Sequence, residues 1–246
     1  MEALSFPELL FFAFVIIVSY SIRGGSGFGG VTVPLLALIM PVKILVPVVT
    51  VLGLFSSWSI VARERRHVAW SPMKRIAPWA LGGALAGLYL FSALDSGAIA
   101  RGLGVLVILY GLYSFWTTYR VAGDIRAPMA VVTPMAGTVA GFVGTLFGSM
   151  AGMFFAIYLD LQRIAKDEFR ATAAAILFGL GVVRCIGYAA VGAFDRDALL
   201  ACAAALPLMA IGVYIGNHLH ANLNPLQFRR FVALVLLASG VPLLLR

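Results

Sequence analysis

The chain consists mainly of long apolar stretches separated by short polar segments. Five stretches contain no Asp, Glu, Lys or Arg, and most of them have close to the roughly 20 residues that a membrane-spanning helix needs. They are Ile44 to Ala62, Ile76 to Leu94, Gly102 to Tyr119, Ala127 to Leu159 and Ala198 to Asn217. This pattern predicts an all-α polytopic membrane protein with one integral membrane domain.

Two glycine-rich breaks interrupt this apolar pattern, at residues 24–30 and 144–152. Irregular backbone at bilayer depth is tolerated only where protein or a water-filled cavity satisfies its polar groups. We therefore predict a central binding site at the breaks, with half-helices that begin at Val31 and Met153. The free N–H groups and the positive dipole end of such half-helices favour an anion.

The two halves of the sequence resemble each other. A shift of 122 residues aligns Gly30 with Gly152 and Thr50 with Thr172. A shift of 129 residues aligns a second series, in which Pro78, Gly83 and Gly87 fall on Pro207, Gly212 and Gly216. An ordered series of matches predicts a duplication. We expect two homologous repeats, residues 1–126 and 127–246, each with a Gly-broken helix pair followed by three spanning helices.

The broken stretches, residues 9–41 and 127–159, could each cross the membrane once or re-enter and return to the side they left. If both cross once, the basic residues outside the spans divide nine against seven between the two sides. If both are re-entrant, the division is twelve against four. The positive-inside rule therefore favours re-entrant stretches, six full spans and inverted repeats, with the cluster from Arg63 to Arg75 in the cytoplasm.

Composition excludes several classes of protein. Apolar residues make up 62% of the chain and charged residues 11%, far from the usage of a soluble domain. The net charge of +8 lies mostly in short loops, where basic residues set topology, so we expect no nucleic-acid partner.

Cys185 and Cys202 lie in apolar spans without metal-ligand spacing, so we expect no metal and no cofactor. No nucleophile elbow, HExxH or Walker motif supports an enzyme.

Two arginines are candidates for binding a substrate. Arg23 immediately precedes the first break, and Arg184 lies 14 residues after Arg170 and 11 before Asp195 in an apolar helix. At 1.5 Å per residue, Arg184 lies roughly 16 to 21 Å from either end of this span, near its middle. Intramembrane arginines are costly and usually functional, and their planar guanidinium groups suit oxyanions. A structural pairing of Arg184 with backbone carbonyls is the alternative.

No carboxylate lies in the middle of a span, which favours an anionic rather than a cationic substrate. Glycine amides and hydroxyls near the breaks complete the candidate set, although glycines also pack helices and hydroxyls also bond their own helix. We interpret Gly83, Gly87, Gly212 and Gly216 as packing residues. The predicted substrate-binding residues are Arg23, Gly27, Gly29, Gly30, Thr32, Thr50, Gly148, Ser149, Gly152, Thr172 and Arg184.

The first break continues into Val33-Pro34-Leu35-Leu36 and Met40-Pro41-Val42-Lys43, and the pattern returns in degenerate form from Gly148 to Lys166. Over nearly its whole length the chain resembles the TauE/SafE sulfite exporter family. That resemblance implies a prokaryotic inner-membrane permease with two related halves, which exports or imports sulfite, sulfoacetate or another organosulfonate.

The expected function is therefore secondary transport of a small sulfur-containing anion by alternating access at a midplane site. The lipid bilayer is the expected surrounding, and a proton or sodium ion is a candidate for coupling. The oligomeric state stays open, with a homodimer as one alternative. Two other functions also stay open: an anion channel, and a structural membrane subunit whose glycines only pack helices.

Overall fold

A computed structural model of the chain describes residues 5–26, 30–117, 128–148, 150–218 and 225–245. These residues form ten α-helices and one 3₁₀ turn, Arg65–His67, and contain no strand. The helices are α1 Phe6–Ser26, α2 Thr32–Leu36, α3 Val42–Glu64, α4 Trp70–Ala93, α5 Ser96–Thr117, α6 Met129–Phe147, α7 Ala151–Leu161, α8 Lys166–Ala190, α9 Arg196–His218 and α10 Pro225–Leu244.

Within this described part, seven helices are long and apolar enough to cross a membrane: α1, α3, α4, α5, α6, α8 and α9. The described apolar segments of α7 and α10, Ala151–Leu161 and Leu234–Leu244, are shorter. The prediction of an all-α polytopic membrane protein is confirmed.

Glycines allow the closest helix contacts. A Cβ at Gly83 of α4 would overlap the carbonyl of Thr138 on α6, and one at Gly216 of α9 would overlap the carbonyl of Ser21 on α1. Small residues let helix backbones approach in this way inside membranes. The predicted packing role is confirmed at Gly83, Gly87, Gly212 and Gly216.

Helices α3 and α8 pack against each other in opposite directions. Arg184 of α8 contacts Thr50 of α3, whereas Arg170, earlier in α8, forms an ion pair with Glu64 at the end of α3, at 3.3 Å. Later residues of α3 therefore contact earlier residues of α8, as in an antiparallel pair.

Helices α5 and α10 are also antiparallel. Gly104 of α5 lies against Gly240 and Leu244 of α10, whereas Ile108, one turn later in α5, lies against Gly240. A side chain at either glycine would crowd the other helix, which explains why both positions lack a Cβ.

Helices α1 and α3 run in the same direction. Tyr20 donates a hydrogen bond to the carbonyl of Val49 at 3.4 Å, and Arg23, further along α1, reaches Ser57, further along α3. Consecutive helices that each cross once would run in opposite directions. The chain between α1 and α3 therefore turns back toward the side from which α1 started.

The second break is a helical hairpin. Gly144 near the end of α6 lies against Ala151 at the start of α7, and both helices contribute to one hydrophobic cluster that includes Ala140 and Phe155. Helix α7 thus folds back along α6. The broken stretch thus turns back toward the side it left, as expected for a re-entrant stretch, but α6 is long enough to span and is not a half-helix.

The main helix pairs are α1 with α9, α4 with α6, α3 with α8 and α5 with α10. If each helix from α1 to α5 is exchanged with its counterpart from α6 to α10, the pair of α1 with α9 becomes the pair of α6 with α4. The pairs of α3 with α8 and of α5 with α10 stay the same. The two halves of the chain therefore make equivalent contacts.

Candidate functional site

A cavity lined by five of the predicted site residues lies beside α3 and α8, with a volume of about 40 Å³. Because one water needs roughly 10 to 15 Å³ of such space, the cavity has room for about three waters or one small oxyanion. The residues that line it are Arg23, Val49, Thr50, Gly53, Leu54, Gly148, Met150, Ala151, Gly152, Leu177, Gly181 and Arg184.

Arg184 is held by a side chain from the other half of the protein. Its side chain is buried, at 8% exposed, and its Nη2 donates to Thr50 Oγ1 at 2.5 Å. Thr50 in turn donates its hydroxyl proton to the carbonyl of Val46 at 2.8 Å. Thr50 therefore acts as an acceptor that positions the guanidinium.

Arg23 is held mainly by α3. Its Nη2 donates to Ser57 Oγ at 2.8 Å and to the carbonyl of Gly53 at 3.3 Å. Gly53 lies directly against the guanidinium, and a Cβ there would be in ordinary van der Waals contact with Nη2, at 3.5 Å. Arg23 is partly buried.

Each arginine also lies over a tyrosine ring. Arg23 Cζ is 5.9 Å from the centre of Tyr20, and Arg184 Cζ is 5.9 Å from the centre of Tyr188. Tyr188 donates its hydroxyl proton to the carbonyl of Thr145. Each tyrosine ring therefore helps to hold its cation by a cation–π contact.

Neither guanidinium has its hydrogen-bonding capacity filled. Within the described residues, the Nε atoms of Arg23 and Arg184 are buried without a hydrogen-bond partner, and no carboxylate forms an ion pair with either side chain. Buried charge is costly unless it is paired. A cavity that two such cations line is chemically suited to an anion.

The α6–α7 break supplies the other wall of the cavity. Gly148 ends α6 with φ +73°, and Met150 precedes α7 with φ +69°. Two left-handed residues turn the chain sharply, and for Met150 this conformation is strained. No side chain caps α7, and its first residues, Ala151 and Gly152, line the cavity, so unpaired amide protons and the positive dipole end lie beside it.

The half-helix starts differ slightly from the prediction. Helix α7 begins at Ala151 rather than Met153, because the left-handed Met150 completes the turn and the next residue is already helical. Helix α2 begins at Thr32 rather than Val31 and has only five residues, too few to supply a strong dipole.

Among the predicted site residues, the cavity brings together Arg23, Thr50, Gly148, Gly152 and Arg184. Gly30 and Thr32 do not line it, and Thr172 instead accepts a hydrogen bond from the backbone N–H of Ala69 at 2.9 Å. Gly27, Gly29 and Ser149 lie outside the described residues.

Several residues at the site were not predicted. Tyr20 and Tyr188 could have been found from the sequence, because they lie three and four residues from an arginine on the same helix. Gly53 and Ser57 carry no such signal, since only the packing of α1 on α3 brings them to Arg23. Across the described ranges, no group of three His, Cys, Asp or Glu could hold a metal ion.

Comparisons with known proteins agree on a membrane transporter. The sequence matches the family described as Sulfite exporter TauE/SafE over residues 9–243. A relative from Comamonas testosteroni, named "Probable inner membrane transporter protein TsaS", is 31% identical over 192 residues, which cover 72% of this chain and 73% of the relative. No solved structure matches the chain.

Proposed function

The chain belongs to the sulfite exporter TauE/SafE family. We propose that it is a permease for a small sulfur-containing anion such as sulfite, sulfoacetate or another organosulfonate. It is a membrane transporter and not an enzyme. The name of the Comamonas relative places the protein in the inner membrane as a multi-pass protein, in agreement with the seven apolar helices.

The observation that supports an anion most directly is the pair of arginines at the cavity. Arg23 comes from α1 and Arg184 from α8, so the two cations approach from different halves of the chain. Thr50 and Ser57 accept hydrogen bonds from them without neutralising their charge. An oxyanion can accept hydrogen bonds from both guanidinium groups and from the amide protons at the start of α7.

We further propose that residues 1–126 and 127–246 are inverted repeats. Three observations support this: the equivalent contacts of the two halves, the antiparallel packing of α3 on α8, and the antiparallel packing of α5 on α10. Helices α3 and α8 occupy the same place in the two repeats, and inversion requires such counterparts to run in opposite directions.

Alternating access follows from this arrangement. The cavity lies between the two repeats, so rocking one repeat against the other would open it to each side in turn. The close glycine contacts of α1 with α9 and of α4 with α6 join each broken stretch to the opposite repeat. We propose that these contacts persist while the repeats rock, so that α1 moves with the second repeat and α6 with the first. The breaks then act as hinges, and a proton or sodium gradient drives the cycle.

Counterflow in liposomes tests the proposed transport. Protein in liposomes loaded with unlabelled sulfite is expected to take up labelled sulfite from outside, and Arg23→Gln is expected to slow this uptake by at least about tenfold, because roughly 1.4 kcal/mol of anion binding is lost. Arg101→Gln, at an exposed position on α5, is the matched control and should exchange normally.

A conductance that dissipates the anion with voltage and without exchange would indicate a channel. Normal exchange in Arg23→Gln would exclude the proposed role of this arginine.

A further inference from the structure

A second cavity, about 280 Å³ in volume, lies between α4 and α8, and apolar side chains form nearly all of its lining. We call it the α4–α8 groove. Its walls include Met73, Ala77 and Leu81 on α4 and Ile176, Gly179 and Val183 on α8. Ala77 and Leu81 are exposed, so the groove is open at the surface of the protein. Both helices are long and apolar enough to cross a membrane, so an open apolar surface between them is suited to contact with lipid.

The groove begins close to one membrane interface. The backbone N–H of Ala69, just before α4, donates to Thr172, which sets the start of α4 level with the second turn of α8. From Met73 to Leu81 the groove runs along about 12 Å of helix at 1.5 Å per residue. One leaflet of a hydrocarbon core of about 30 Å is only slightly thicker, so the groove extends across most of one leaflet.

A basic side chain lies at the interfacial end of the groove. Lys74 precedes Ala77, Pro78 and Leu81 by three, four and seven residues, and this spacing places it on the same face of α4, one turn nearer the interface. Lys74 is exposed, and no described residue pairs with it. Trp70, one turn earlier and 51% exposed, is positioned as an interfacial anchor.

Among the described side chains, basic ones outnumber acidic ones around this end, where the acidic residues are Glu64 and Glu168. The last turn of α3 carries the exposed Arg63, and the 3₁₀ turn that follows carries the exposed Arg65 and Arg66. Basic pockets between spanning helices on the cytoplasmic side are suited to anionic lipid headgroups. The positive-inside rule places this cluster in the cytoplasm, where such lipids are available to it.

We propose that the α4–α8 groove is a binding site for an anionic phospholipid, with one acyl chain between the helices and its phosphate held by Lys74. An acyl chain fits because the groove is apolar and open to the bilayer along one leaflet. A phosphate fits because Lys74 extends its ammonium from the same helix face into the interface, where long basic side chains reach polar groups. The site is independent of the identity of the transported ion.

Photo-crosslinking tests this proposal on the full-length protein in vesicles. Phosphatidylglycerol with a diazirine in the middle of its acyl chain is expected to label peptides of α4 and α8 that line the groove. Phosphatidylcholine with the same diazirine is expected to label them less, and dilution with unlabelled phosphatidylglycerol should compete.

Two pairs of variants separate the acyl chain from the headgroup. Gly179→Phe places a ring in the groove, where only Met73 comes within 4 Å of the added Cβ, and should abolish the labelling. Gly82→Phe is its control, because Gly82 is exposed on another face of α4 with no atom within 4 Å. Lys74→Gln should reduce the preference for phosphatidylglycerol about fivefold, which corresponds to roughly 1 kcal/mol for one basic residue near an anionic surface. Arg75→Gln, exposed on a different face, should retain it.

Equal labelling of Gly179→Phe and Gly82→Phe would overturn the proposed site for the acyl chain. Equal labelling by the two lipids, or an unchanged preference in Lys74→Gln, would overturn the assignment of the headgroup. Crosslinks between two copies of the chain through the groove would show that a second copy occupies it instead. The lysine variant keeps the test decisive if Gly179→Phe does not fold.

Discussion

At the scale of single residues, the binding cavity depends on how two cations are held without being neutralised. Thr50 accepts from Arg184, and Ser57 and Gly53 accept from Arg23. Each acceptor is an uncharged oxygen, so it orients the guanidinium and leaves its charge for a ligand. A carboxylate at either place would hold the arginine more tightly but would compete with the anion.

Thr50→Val tests this positioning role. The variant keeps the shape of the side chain but removes the oxygen that orients Arg184, so we expect anion affinity to fall about tenfold, equivalent to roughly 1.4 kcal/mol. Calorimetric titration of the purified protein with sulfite measures the effect. Thr50→Ser retains the oxygen and should restore affinity, whereas equal affinities of wild type and Thr50→Val would remove the proposed role.

The sequence predicted the positions of these residues unevenly. Counting from Arg170 to Asp195 predicted Arg184 near the middle of its span, but α8 ends at Ala190, so Arg184 lies only about 9 Å from that end of the helix. Its partner, Thr50, is 134 residues away in the chain, and no local pattern links the two. Thr172 matches Thr50 in the repeat alignment but bonds the backbone of Ala69, because the start of α4 packs there.

At the scale of elements, the α6–α7 break combines backbone geometry with function. Gly148 requires a left-handed conformation, and a Cβ at this position would also lie 3.1 Å from Val46 of α3. The break is therefore fitted against the same turn of α3 that holds Thr50. A glycine-rich segment was predictable, but the left-handed Met150 was not, because a non-glycine residue is rarely found in that region.

Gly148→Ala should destabilise the protein and reduce anion transport. Left-handed backbone at alanine costs about 1 to 2 kcal/mol, and the contact with Val46 adds to this. Gly192→Ala is a matched control: Gly192 has φ +72° but no atom within 4 Å of the added Cβ. Thermal denaturation in detergent should rank wild type above Gly192→Ala and Gly192→Ala above Gly148→Ala. Equal midpoints for the two variants would indicate that the contact with α3 is unimportant.

At the scale of the whole molecule, the pairing of helices from opposite halves explains the architecture. The sequence predicted two four-element halves from a few aligned glycines and prolines, and charge counts favoured returning breaks. The directions of the helices agree with returning breaks, since α1 runs with α3 and α7 folds back on α6, whereas the two repeats stay a prediction. Which helix of one half packs on which helix of the other could not be predicted, because contacts such as that of Gly216 with Ser21 have no local signature.

The topology gives a direct prediction of sidedness. Helices α4 and α8 begin at the same side, since Thr172 bonds Ala69, and the positive-inside rule makes that side cytoplasmic. In a protein with Cys185 and Cys202 replaced by Ala, Ser71→Cys and Ala165→Cys should react with an impermeant thiol reagent only from the cytoplasm. Ala93→Cys, at the far end of α4, should react only from outside. Labelling of Ser71→Cys and Ala165→Cys from opposite sides would contradict the fold.

The central claim is that the cavity between α3 and α8 binds a sulfur oxyanion through its arginines, and ligand-dependent thermal stability tests it most directly. Purified protein is measured against sulfite, sulfoacetate, taurine, thiosulfate, sulfate and chloride. At 100 times its Kd, the true ligand should stabilise the protein by about 2.7 kcal/mol. We predict selective stabilisation by one sulfur oxyanion, lost in Arg184→Gln and kept in Arg101→Gln. Unchanged stabilisation of Arg184→Gln, or none of wild type by any of these anions, would contradict the claim.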